Sequence, residues 1–179
     1  PTLIVCPNST KTGWAREVEE VWPGLEVVVV GGSAAQRKKQ LATSAHVFIM
    51  NWESISSHSR LEKYGSVSFK KCLECGGKDP KVSESKCQIH NKELNLMDFK
   101  SVIADEVHRI KTPDSQQTRA FKYATREADI RIALSGTPIA NNPGDLWSTL
   151  NWISPDEFPS KSLWVERMLD HNYDIYGAV

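Results

Sequence analysis

Neither sign of charge predominates in this chain. Lysine plus arginine and aspartate plus glutamate number 22 each, so the formal net charge at pH 7 is +0. A chain-wide electrostatic footprint for nucleic acid is therefore missing, and any such contact has to be argued locally. No apolar run is long enough to span a bilayer. No basic and apolar leader opens the chain, and residue 1 is proline, which runs straight into Leu3-Ile4-Val5. The expectation is a piece of a longer intracellular protein, starting at the edge of a strand. There is no internal repeat and no low-complexity tract. Cysteine is scarce: of four, Cys72, Cys75 and Cys87 fall in one short stretch and Cys6 stands alone in an apolar run. With no sign of export, the clustered thiols point to metal rather than to disulfides, and Cys6 reads as a core thiol.

What is present suffices for one domain with its own core, since the chain has 179 residues. Five short apolar runs rich in Val and Ile, at Leu3–Cys6, Leu25–Val30, Val47–Met50, Ser101–Asp105 and Ile130–Leu134, read as strands covered on both faces. Helical patterns lie between and after them, at Thr12–Val21, Ala34–Thr43, Trp52–Leu61, Ser115–Arg126, Asp145–Ile153 and Leu163–Leu169. This alternation predicts an α/β fold, a parallel sheet with helices on both faces. Residues 64–96 break the pattern with Gly76-Gly77, Pro80 and many lysines, too long a stretch for an ordinary connection. They read as an inserted module, leaving 1–63 and 97–179 as the main domain.

Within the insertion, Cys72-Leu73-Glu74-Cys75 and Cys87-Gln88-Ile89-His90 form two knuckles. Four such ligands suit a closed, structural, tetrahedral zinc site, whose metal would supply folding energy that the segment's sparse apolar content does not. His58 is the alternative fourth ligand, and unpaired thiols in a loop are the bland reading. Lys70, Lys71, Lys78, Lys81, Lys86 and Lys92 make the module locally basic; a solvated face and a DNA-touching finger both fit.

The chemistry-bearing segment is Asp105-Glu106-Val107-His108, directly after a buried strand. In an open parallel sheet, ligands sit beyond the carboxyl ends of the strands. Two acids there suit phosphoryl transfer, one holding magnesium and the other activating water. A solvated acidic turn is the competing reading. Ser135-Gly136-Thr137-Pro138 follows another strand, and its hydroxyls can sense a phosphate or simply make a turn. At the amino end, Pro7-Asn8-Ser9 ends a strand before a helix carrying Trp14, an arrangement suited to a DNA phosphate.

Taken in order, these segments resemble the first RecA-like lobe of the Swi/Snf-type ATPases, within the helicase superfamily that includes the DEAD-box proteins. Leu3–Ser9 with Trp14 resembles motif Ia, and Phe48–Glu53 resembles motif Ib. Asp105–His108 with Arg109-Ile110-Lys111 resembles motif II. Leu134–Ile139 with Asn141-Asn142 and Leu146-Trp147 resembles motif III and its extension. The resemblance covers the chain except the insertion. It implies that Asp105 coordinates magnesium, that Glu106 activates water, and that His108 couples the nucleotide site to motif III. Ser135, Gly136 and Thr137 would link hydrolysis to lobe movement. Ser9 and Thr10 would touch the DNA backbone with Asn51 nearby. Lys11 would add a phosphate contact or be a solvated helix-start lysine.

Departures from the family pattern are Val107 for Ala or Gly, Trp52 for Tyr, Thr112 for Asn, and Ala140 for the Gln before Asn-Asn; none removes a carboxylate. No Gly-x-x-x-x-Gly-Lys-Ser/Thr occurs, so the phosphate loop is expected upstream of Pro1 and the second lobe beyond Val179. The implied function is ATP-driven translocation on double-stranded DNA by the parent protein, with ATP and magnesium as cofactors, zinc as a structural metal, and this fragment alone inactive. An RNA or single-strand helicase, or a non-catalytic nucleic-acid-binding lobe, is the alternative. No membrane partner or oligomer is implied. The expected location is the cytoplasm of a bacterium or phage-infected host, or the nucleus in a eukaryote.

Overall fold

The computed structural model describes the backbone of residues 1–61, 92–137 and 143–175, and side chains as far as residue 168. Five strands, β1 (Thr2–Cys6), β2 (Val27–Val29), β3 (Val47–Asn51), β4 (Ser101–Asp105) and β5 (Ile130–Leu134), form one sheet in the order β2-β3-β1-β4-β5. Every neighbouring pair is parallel. The helices are α1 (Lys11–Val21), α2 (Ala34–Leu41), α3 (Trp52–His58), α4 (Gln116–Ala124), α5 (Trp147–Ile153) and α6 (Lys161–Ile175). None of the described helices is long and apolar enough to cross a membrane.

Local chemistry explains the starts of α2 and α4. Ser33 caps α2 through a reciprocal box with Gln36, its side chain accepting from the Gln36 N–H while Gln36 returns a bond to the Ser33 backbone. Ser115, expected inside a helix, is instead the cap of α4, its hydroxyl accepting from the Thr118 N–H.

Alternate residues of β1 feed opposite faces of the sheet, as strand geometry requires. Leu3 and Val5 join Phe48, Met50, Val102 and Ala104 in the larger cluster, under α3, α4 and α5. Its centre is an aromatic series, with Trp52 and Phe121 ring centroids 4.9 Å apart and Phe121 and Trp152 4.8 Å apart. Ile4 and Cys6 join Val47 and Ile49 on the other face, packed by Trp14 and Val18 of α1. Burial raises the Cys6 thiol above its ordinary value near 9.0, as a core thiol requires.

One strand departs from expectation. β5 is not covered on both faces: Ile130, Ile132 and Leu134 are exposed. Ile132 pairs with Ile103, which packs on the α1 side. The open residues therefore share α1's face, and α1 packs over β2 and β3 at the far side of the sheet. Glu93–Leu96, within the stretch read from the sequence as inserted, is a 3₁₀ helix whose Leu94 is fully buried in the larger cluster. That short segment carries too few apolar residues to announce itself in the sequence.

The strand order positions the site. From β1 the chain turns outward to β2 and β3; from β4 it turns the opposite way to β5. The crevice between the carboxyl ends of β1 and β4 is thus the point where the winding reverses, the usual ligand position in such sheets.

Candidate functional site

Both segments flanking that crevice are polar. Beyond β1, Pro7 leads into a 3₁₀ turn, Asn8–Thr10, whose residues are exposed. Beyond β4, Asp105 ends the strand half-buried, and Glu106 adopts φ 54 and ψ 48, the left-handed region. Glu106 is the one non-glycine with positive φ among the described residues. Strain of this kind persists only where the surroundings impose it, and it concentrates at functional positions. Here it turns the chain sharply off the strand, so that Glu106 and His108 face each other with Oε2 and Nδ1 3.2 Å apart.

The same His108 Nδ1 lies 3.3 Å from Ser135 Oγ, beyond β5. One imidazole therefore spans the second acid of β4 and the hydroxyl turn of β5. Ser135 Oγ also accepts from the Thr137 N–H at 3.2 Å, closing that turn, while Gly136 and Thr137 are exposed. Residues 138–142, which hold the end of the segment resembling motif III and the start of its extension, lie outside the described ones.

Asp105 is held from two sides by indoles. Trp14 Nε1 donates to its Oδ2 at 3.0 Å, and Trp52 Nε1 donates to its backbone carbonyl at 2.8 Å. A further link joins Glu53 of α3 to the residues after the acids. Arg109 donates to Glu53 Oε1 at 2.7 Å, and Asn51 Nδ2 donates to Glu53 Oε2 at 2.8 Å. The Asn51 bond, ahead of the Arg109 contacts, holds the Glu53 carboxyl below its ordinary value, against a smaller opposing effect of burial.

With this geometry in place, comparison with known proteins is decisive. The SNF2-related domain matches residues 1–174. The chain belongs to the SNF2-related family. DNA repair and recombination protein RAD26 of Saccharomyces cerevisiae is 30% identical over 173 residues, covering 87% of this chain and 16% of that protein. Protein CHROMATIN REMODELING 19 of Arabidopsis thaliana is 27% identical, covering 95% of the chain and 20% of its own length. Human chromodomain-helicase-DNA-binding protein 8 is 29% identical, covering 90% and 6%. The Sulfolobus solfataricus SWI2/SNF2 ATPase core in complex with dsDNA shares the fold with a TM-score of 0.61 at 23% identity, covering 92% of this chain and 27% of that one. The SNF2-related domain described here thus spans a fifth or less of the curated relatives named.

In this SNF2-related domain His108 brings Glu106 and Ser135 together, Asp105 precedes Glu106 at the end of β4, and Ser9 and Thr10 are exposed beyond β1. Lys11 requires correction. It is not a solvated helix-start lysine: its ammonium turns inward and donates to the Val30 carbonyl at 2.9 Å. A phosphate contact from this position would have to compete with that bond. The Asn51 side chain is likewise engaged, donating to Glu53 and accepting from Ser54 Oγ at 2.9 Å.

Cys72, Cys75, Cys87 and His90 lie outside the described residues. Among the described ones, no group of three or more His, Cys, Asp or Glu is placed to hold a metal ion. His58, the alternative ligand, has both ring nitrogens occupied. Nδ1 lies 2.9 Å from Glu93 Oε2, and Nε2 accepts from Arg37 at 3.1 Å. What sequence reading missed is the role of Trp14, Trp52, Glu53 and Arg109. The usable signal was that a packed indole has one N–H and must place it.

Proposed function

We propose that this SNF2-related domain is the acid-bearing part of the first motor lobe of an ATP-driven translocase on double-stranded DNA, which remodels bound proteins or DNA structures. The observation that carries the reading is the His108 bridge between Glu106 at the end of β4 and Ser135 at the end of β5. In it, Glu106 orients and activates the attacking water, and His108 relays the state of that acid to the Ser135–Thr137 turn.

Asp105 suits magnesium on the chemistry of its donors. It offers hard carboxylate oxygens, and its one side-chain hydrogen bond among the described residues, from Trp14, uses a single acceptor site. When bound, the ion would neutralise phosphate charge beside the acids. The exposed turn Ser9-Thr10 faces the same crevice and is the proposed DNA-backbone contact, with Asn51 nearby. A second lobe in the parent chain would complete the motor. Since the 179 residues hold no Gly-x-x-x-x-Gly-Lys-Ser/Thr loop, they are expected not to hydrolyse ATP alone; DNA-stimulated turnover by them would contradict this.

Residues 64–96 are proposed as a structural zinc module inserted in the lobe. Metal analysis of the purified protein should find one zinc per chain through Cys72, Cys75, Cys87 and His90, lost on Cys72→Ser substitution. Retention of stoichiometric zinc by that variant would refute the ligand set. The proposed location is intracellular, in the compartment that holds the DNA.

The test of the function is ATP hydrolysis by the full-length protein with and without duplex DNA, RNA and single strands. Stimulation by RNA or single strands in preference to duplex would favour a helicase of the same superfamily. Binding without turnover would leave a non-catalytic lobe.

A further inference from the structure

An indole carries one N–H donor and no acceptor. Two indoles spend that donor on a single residue, Asp105. Trp52, buried beneath the sheet's carboxyl end on the α3 side, fixes the main chain through the Asp105 carbonyl at 2.8 Å. Trp14, packed on the opposite face by Ile4, Cys6, Val47 and Ile49, reaches the carboxylate itself, its Nε1 lying 3.0 Å from Oδ2. One tryptophan thus sets where the residue stands and the other sets which way its side chain turns.

The second contact matters because the terminal torsion of aspartate is broad and weakly preferred. Left to itself, the carboxylate samples many orientations. A charge-assisted hydrogen bond from a ring that is itself packed removes that freedom. It also occupies only one of the carboxylate's acceptor sites, and among the described residues Oδ1 accepts no hydrogen bond, so oxygen remains for a cation. The bond crosses the switch point directly, from the helix after β1 to the end of β4.

We propose that Trp14 is a positioning residue for the magnesium-holding carboxylate. The inference rests on the reading of Asp105 given above, and the test separates the two. Trp14→Phe keeps an aromatic ring in the packed site and deletes the donor. In the full-length protein, ADP affinity is measured with magnesium and in EDTA by titration calorimetry, together with the magnesium midpoint and kcat of ATP turnover and the thermal midpoint.

A lost hydrogen bond to a charged group should shrink the magnesium-dependent gain in ADP affinity by about tenfold. Affinity in EDTA should stay as in the wild type, and the magnesium midpoint for turnover should rise by a similar factor. A purely structural role would instead lower the thermal midpoint and leave the magnesium-dependent gain intact; that outcome overturns the proposal. Should Trp14→Phe not fold, Trp14→His, which keeps a ring N–H, is compared with Trp14→Leu. Equal magnesium-dependent gains in those two again overturn it. A wild-type protein whose ADP affinity ignores magnesium refutes the reading of Asp105 itself, before any variant is considered.

Discussion

The left-handed backbone at Glu106 makes a prediction whose sign is unusual. In most of a folded chain, alanine is the stabilising partner of a glycine/alanine pair, by about 1 kcal/mol in a helix interior. At φ 54 and ψ 48 the order should reverse. Glu106→Gly and Glu106→Ala both delete the carboxylate and its contact with His108, so those losses cancel between them. What remains is the steric cost of a Cβ in the left-handed region, about 1–2 kcal/mol. Against it stands the greater freedom of glycine in the unfolded chain, about 0.4–1 kcal/mol. The net expectation is that the glycine variant is more stable than the alanine variant by about 1 kcal/mol, or about 2–4 °C in thermal midpoint for a chain of this size. Urea unfolding of the two variants measures it, with both expected to be inactive in hydrolysis. An alanine variant as stable as the glycine variant, or more so, would show that Glu106 carries no such strain.

Further predictions concern the residues around the crevice. Lys11→Met leaves the Val30 carbonyl without its donor and should cost about 1–3 kcal/mol in denaturant unfolding, while the salt dependence of DNA binding stays unchanged; a shallower salt slope with intact stability would restore Lys11 as a phosphate contact. Glu53 is held below its ordinary value near 4.5, mainly by Asn51. Its contribution is therefore present above that value and lost as pH falls through the lower, folded one. Because the Glu53 carboxylate is exposed, the part of the Asn51→Ala cost that runs through Glu53, as distinct from the loss of the Ser54 bond, should be under about 1 kcal/mol at neutral pH. The difference from the wild type should narrow as the pH drops below about 4.5, and a gap that stays constant across this window would refute the assignment.

The strands were legible because their chemistry is local. Ser101–Asp105 and Ile130–Leu134 stand where the apolar runs place them, because the strands of a parallel sheet are written in short runs rich in Val and Ile even where, as in β5, one face is left open. Parallel pairing followed from the intervening helices. The four motif segments were legible for a different reason: each sits at a strand's carboxyl end, where side-chain type is set by chemistry rather than packing.

What was hidden depends on contacts between distant residues. Trp14 and Asp105 are 91 positions apart, and Glu53 and Arg109 are 56 apart. Nothing in either neighbourhood names the other. Lys11 misleads because its position in sequence is that of a helix start, where lysines are commonly solvated, while the backbone of Val30 curls over it. The open face of β5 could not be read from Ile130–Leu134 either, since its apolar content is that of a covered strand.

The most direct test of the central claim is ATP hydrolysis by the full-length protein on duplex DNA, wild type against Glu106→Gln. The account predicts DNA-stimulated turnover that falls by about a hundredfold or more when the acid becomes an amide, with ATP still bound. Wild-type turnover in the Glu106→Gln variant, or turnover indifferent to DNA, would contradict it.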